Sequence, residues 1–103
     1  MSKKDLSLAK KYLKWLKFKS VVVKAGYIFG SRSKGSAHEG SDLDICIISD
    51  SFGKDKHAAR VKLMNYGLKV SDLIEPHLLT VADFEDKYNP LAVEVKKTGI
   101  KIV

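Results

Sequence analysis

The stretch that decides the fold runs from residue 29 to residue 48: Phe29-Gly30-Ser31-Arg32-Ser33-Lys34-Gly35, a glycine- and serine-rich loop, and then Gly40-Ser41-Asp42-Leu43-Asp44-Ile45-Cys46-Ile47-Ile48. Its last part is an apolar run carrying one charge, the pattern of a central strand covered on both faces. An aspartate inside such a run is expensive to bury unless it is paired or bound to a cation. Before it, Tyr27-Ile28-Phe29 reads as the end of another strand, and Gly30-Ser31 stops that strand abruptly. Residues 31–41 read as a short helical turn and a loop, with no core face of their own.

Asp42 and Asp44 stand two apart, so on a strand they project to one face. Side-by-side carboxylates repel, and a divalent cation with oxygen ligands relieves that repulsion. The structural alternative has Asp42 capping a turn and Asp44 paired with a lysine. Gly30 allows close approach of a backbone to a phosphate. Ser31 offers a hydroxyl and an amide, and Arg32 and Lys34 add positive charge. The glycine spacing of Gly30 and Gly35 matches a Walker A loop, but Ser36 and Ala37 stand where lysine and Ser/Thr are needed, so that motif is excluded.

Working outward, residues 5–18 read as a helix with an apolar stripe of Leu6, Ala9, Leu13 and Leu16, widened by Tyr12 and Trp15. Asp5 suits its positive end. Residues 21–29 are expected to form a strand at least in their second half. Residues 54–66 read as a helix with Ala58, Val61, Met64 and Leu63 as inward candidates and Gly67 as its stop. Val70 through Leu79 reads as a third strand, placed at a sheet edge or strand end by Pro76. Thr80 caps a short helix, and Asn89-Pro90 opens a last one that runs to about Lys97. Gly99 ends it, and Ile100–Val103 pair briefly or dock. The expected architecture is α/β (α+β), a small mixed sheet flanked by helices, in one domain over residues 1–103.

Composition narrows the function classes. Of 103 residues, 45% are hydrophobic and 30% charged, the profile of a soluble domain. No apolar run is long enough for a membrane span and no apolar segment follows Met1, so a cytoplasmic location is expected. The single cysteine, Cys46, excludes an internal disulfide and reads as a small core residue. The net charge of +7 lies wholly within residues 1–24, where eight lysines face Asp5 alone. That patch suits a solvated helix face, an acidic partner or nucleic acid. No known nucleic-acid motif accompanies it.

The combination of an apolar residue, Gly30-Ser31, ten intervening residues and Asp42-Leu43-Asp44-Ile45 resembles the signature of the DNA polymerase beta nucleotidyltransferase superfamily. The segment is most similar to the minimal nucleotidyltransferase branch, strongly over residues 27–48 and more weakly through Ile74-Glu75-Pro76-His77 and Asp83-Phe84. The resemblance implies the nucleotidyltransferase fold, with Gly30 and Ser31 holding the triphosphate of a nucleotide and Arg32 and Lys34 offsetting its charge. It implies Mg²⁺, two ions, on Asp42, Asp44 and a third carboxylate from a later strand. Glu75 is the choice for that acid and Asp72 its competitor, and these three acids are the expected catalytic and metal residues. Implied too are transfer of AMP from ATP to a hydroxyl acceptor, a HEPN-domain toxin as partner, and a homo- or hetero-oligomer. The competing expectation is a non-catalytic module that neutralises a partner through its N-terminal helix. His38 and His57 read as solvated. His77 shares a face with Glu75 and so can support metal or substrate, although a surface or partly buried histidine is its default.

Overall fold

A computed structural model of the chain describes residues 2–34 and 42–103. The elements are α1 (Lys3–Phe18), β1 (Ala25–Phe29), α2 (Ser31–Lys34), β2 (Leu43–Ile48), α3 (Lys56–Leu68), β3 (Ile74–Leu79), α4 (Val81–Glu85), α5 (Pro90–Thr98) and β4 (Ile100–Lys101). The strands form one mixed sheet in the order β3-β2-β1-β4. β1 is antiparallel to both β2 and β4, while β2 and β3 run parallel.

Both faces of the sheet are covered, which explains why β2 is apolar at five of its six positions. Ile28, Leu43, Ile45, Ile47 and Ile74 pack against Ala9, Tyr12, Leu13 and Leu16 of α1 and Leu63 of α3. The Tyr12 hydroxyl is buried in that layer and donates to the Leu63 carbonyl at 2.9 Å. On the other face, Phe29, Cys46, Ile48 and Leu79 pack against Ala92 and Val95 of α5. Burial pushes the Cys46 thiol up to about 12, so it stays protonated. Asp44 belongs to this second face, two residues before Cys46. Among the described residues no helix is long and apolar enough to cross a membrane.

The caps follow the local chemistry. Ser2 Oγ accepts from the Asp5 amide, so α1 begins two residues before the expected start. Thr80 and Asn89 cap α4 and α5, with Pro90 in the first turn of α5. Tyr12 lies in the core, whereas Trp15 is half-buried and stacks on the exposed Phe18. Pro76 sits on an edge strand, as its missing N–H requires.

Three expectations are corrected. Gly67 does not stop α3 but lies inside it, buried where a Cβ would come within 3.2 Å of Ile74. The inward face of α3 is Ala59, Leu63 and Gly67, whereas Ala58, Val61 and Met64 are exposed. A glycine at that point lets the helix approach β3, and the approach turns the helix about its axis. The third strand starts at Ile74, not Val70: the amides of Val70 and Ser71 both donate to the Gly67 carbonyl and finish the helix instead of joining the ladder. Asp72 therefore sits exposed in the turn ahead of β3. The expected loop at 35–41, with His38 in it, lies outside the described residues, as does the side chain of Lys34.

Candidate metal and phosphate site

The site forms where β1 ends and β2 and β3 begin. Parallel pairing places Glu75 directly opposite Asp44, and His77 opposite Cys46. Glu75 and His77, two apart, share the face of Asp44. Phe29 is the partner of Asp44 on the other side, and the chain turns at once into Gly30.

Gly30 has a φ of +77°, and a Cβ there would fall 2.5 Å from Asp44 Oδ2. The residue must therefore be glycine on two counts: the left-handed backbone, and the carboxylate packed against it. Ser33 Oγ lies 2.9 Å from the Gly30 carbonyl and 2.9 Å from that of Thr98, tying α2 to the end of α5. Replacing Gly30 by alanine is expected to displace Asp44 and to destabilise the chain by about 1–3 kcal/mol. Urea unfolding of the variant checks this. An unchanged midpoint would mean that the turn relaxes without strain.

Asp44 Oδ1 lies 3.2 Å from His77 Nε2, with both side chains partly exposed. The His77 ring meets Phe29 edge-on, centroids 4.9 Å apart. Glu75 bonds to the carboxyl group of Asp42, which is exposed just ahead of β2. That bond holds the Glu75 carboxyl above its ordinary value; partial burial and the charge of Asp44 act in the same direction, and His77 opposes them. The folded chain thus binds this proton more tightly than the unfolded chain does. The contribution to stability is full below the ordinary glutamate range and is lost as pH rises through the elevated value. Melting temperatures of the metal-free protein are therefore expected to fall across that window. Glu75→Gln should flatten the profile there; a profile unchanged by the substitution would remove Glu75 as its source.

The donor set fits a divalent cation. Asp44, Glu75 and His77 each offer one ligand atom, all within 4.8 Å of one another. Asp42 adds a carboxylate bonded to Glu75. A cation among these groups would offset their mutual repulsion.

Of the residues singled out in the sequence, Gly30, Asp42, Asp44 and Glu75 come together here. Arg32 does not point its charge freely: its Nη1 lies 2.8 Å from Asp5 Oδ1 of α1, and both side chains are largely buried. Sequence reasoning gave Asp5 only a helix-end role, and nothing in the local sequence connects residues 27 positions apart. His77 was legible through its spacing from Glu75, but not its contact with Asp44.

A strand-to-turn glycine beside an in-register acidic pair and a histidine is a donor set that could hold a divalent cation. The family model described as a nucleotidyltransferase domain matches residues 9–101, and the chain belongs to that family. No curated protein matches the chain. Among solved structures it is similar to a toxin–antitoxin with AMP-PNP, at 23% identity and a TM-score of 0.68, covering 92% of this chain and 72% of that one. It is also similar to a proposed nucleotidyltransferase from Sulfolobus solfataricus, at 19% identity and a TM-score of 0.67, over 95% of this chain and 78% of the other. The toxin–antitoxin MntA-HepT aligns at 19% identity and a TM-score of 0.60, over 93% and 69% of the two chains. At these identities the likeness is one of fold.

Proposed function

We propose that the protein transfers AMP from ATP to a hydroxyl acceptor, with Mg²⁺ on Asp42, Asp44 and Glu75, and that its partner is a helical HEPN-domain toxin in the cytoplasm. One observation carries this reading: Gly30 packs directly on Asp44, with Glu75 opposite in register. The family membership agrees with it. The toxin–antitoxin neighbours, one of them with AMP-PNP, favour that partner class and that nucleotide.

The chain's own groups have definable tasks. Gly30 leaves room beside the backbone for the carboxylate of Asp44, and Ser31, next to it, is the residue that would meet a phosphate. Arg32, anchored on Asp5, fixes the turn to α1 and contributes charge, and Lys34 supplies a further cation for the phosphates. His77 Nε2 stands 3.2 Å from Asp44 Oδ1, at the edge of the same donor set. Glu75, the third carboxylate, helps take the proton of the attacking hydroxyl. Mg²⁺, two ions when bound, offsets phosphate charge and acidifies that hydroxyl.

A second reading, neutralisation by binding alone, has one observation in its favour. A groove of about 740 Å³ lies over Leu13, Val21, Val22, Val23, Ile102 and Val103, rimmed by Lys10, Lys14 and Lys17. Incubation of the protein with Mg²⁺, a HEPN-domain toxin and ATP labelled at either the α or the γ phosphate separates the two. Label from the α position alone on the partner supports transfer. No α label, with the partner still neutralised, leaves only the binding module.

A further inference from the structure

The ligand atoms that meet at the strand end are not three oxygens. Asp44 and Glu75 each offer a carboxylate oxygen, His77 offers an imidazole nitrogen, and the three lie within 4.8 Å of one another. Register causes the convergence, since His77 follows Glu75 by two on the strand that pairs with β2. The ring is constrained: its edge-to-face contact with Phe29 spans 4.9 Å between centroids, and its side chain is 29% exposed. A side chain already ordered loses little further freedom when it takes a ligand. An ion with bonds of about 2.0–2.1 Å spaces adjacent ligands by roughly 3 Å and opposite ones by roughly 4 Å, so the three atoms need close by at most about 2 Å.

All-oxygen sites suit Mg²⁺, whereas imidazole favours first-row transition dications. We propose that His77 Nε2 is a direct ligand of this centre, and that the centre therefore prefers a first-row transition dication, Mn²⁺ among them, over Mg²⁺. This rests on reading the site as the metal centre of a nucleotidyltransferase. In the competing arrangement Nε2–H donates to Asp44 Oδ1 and His77 only positions that carboxylate.

Metal binding, without turnover, distinguishes the two. Mn²⁺ is titrated into the full chain and followed by the electron paramagnetic resonance of the free ion; Mg²⁺ is measured by competition, and pulsed resonance reads nitrogen bonded to Mn²⁺. The expected result is a directly bonded nitrogen in the unmodified chain. In His77→Gln the nitrogen signal is lost and Mn²⁺ affinity falls by about tenfold or more, with Mg²⁺ affinity little changed. The chain has three histidines, so His38→Gln/His57→Gln leaves His77 alone, and ¹⁵N-histidine labelling of that variant gives the same answer should His77→Gln not fold. Bound Mn²⁺ without a nitrogen signal overturns the proposal, as does an equal loss of both ions in His77→Gln; the nucleotidyltransferase reading survives either. If the unmodified chain binds neither ion, with or without ATP, both fall.

Discussion

Asp44→Asn is expected to lower nucleotidyl transfer by about a thousandfold or more, because it removes the charge around which the site is organised. The side chain touches three site elements at once: Gly30 through Oδ2, His77 through Oδ1, and Glu75 across the strand pair. Asparagine keeps the shape and loses the negative charge. Stability should therefore change by no more than about 1 kcal/mol, since this side chain and that of His77 beside it are both partly exposed. Single-turnover transfer from α-labelled ATP, together with a urea melt, checks both halves. Asp42→Asn, one step further out, should reduce transfer in the same direction. Transfer by Asp44→Asn at the unmodified rate would remove the site assignment, and loss of folding would make Asp44 a structural residue.

The largest effect on stability is expected at Asp5. Its carboxylate lies 2.8 Å from Arg32 Nη1, with side-chain exposures of 8% and 15%. Asp5→Ala takes this carboxylate away from a largely buried guanidinium, at a cost of up to about 3–5 kcal/mol. Because Arg32 follows Gly30-Ser31 in α2, the same variant should loosen the turn and weaken ATP binding. Replacing both partners, as in Asp5→Leu/Arg32→Met, should recover part of the stability, since this carboxylate and the guanidinium are then removed together. Equilibrium unfolding of the single and double variants forms the test. A single variant within about 1 kcal/mol of the parent would show that the Asp5 carboxylate is not what stabilises the guanidinium.

Several elements were legible in the linear chain because their causes lie between near neighbours. β2 was visible with its observed limits as an apolar run with one acid, and the caps at Thr80 and Asn89 were visible as single side chains ahead of helices. Gly30-Ser31 and the Asp42/Asp44 spacing were equally local, which is why the candidate site could be anticipated. The face of α3 was not legible, since the exposed Val61, Met64 and Leu68 are as apolar as many core residues. The buried glycine that sets that helix against Ile74 was mistaken for a terminator.

By itself the sequence determined the mixed α/β class, the stop that Gly30-Ser31 puts on the strand before it, and which acids stand near it in the chain. Those properties follow from backbone sterics and from a side-chain period of two, which act over a few residues. Tertiary structure alone decided that Glu75 and not Asp72 faces Asp44, that His77 joins them, and that Arg32 is bound to Asp5. The reason is register and helix docking: which distant groups meet is set by how two packed layers settle on the sheet, and no neighbouring residue encodes that.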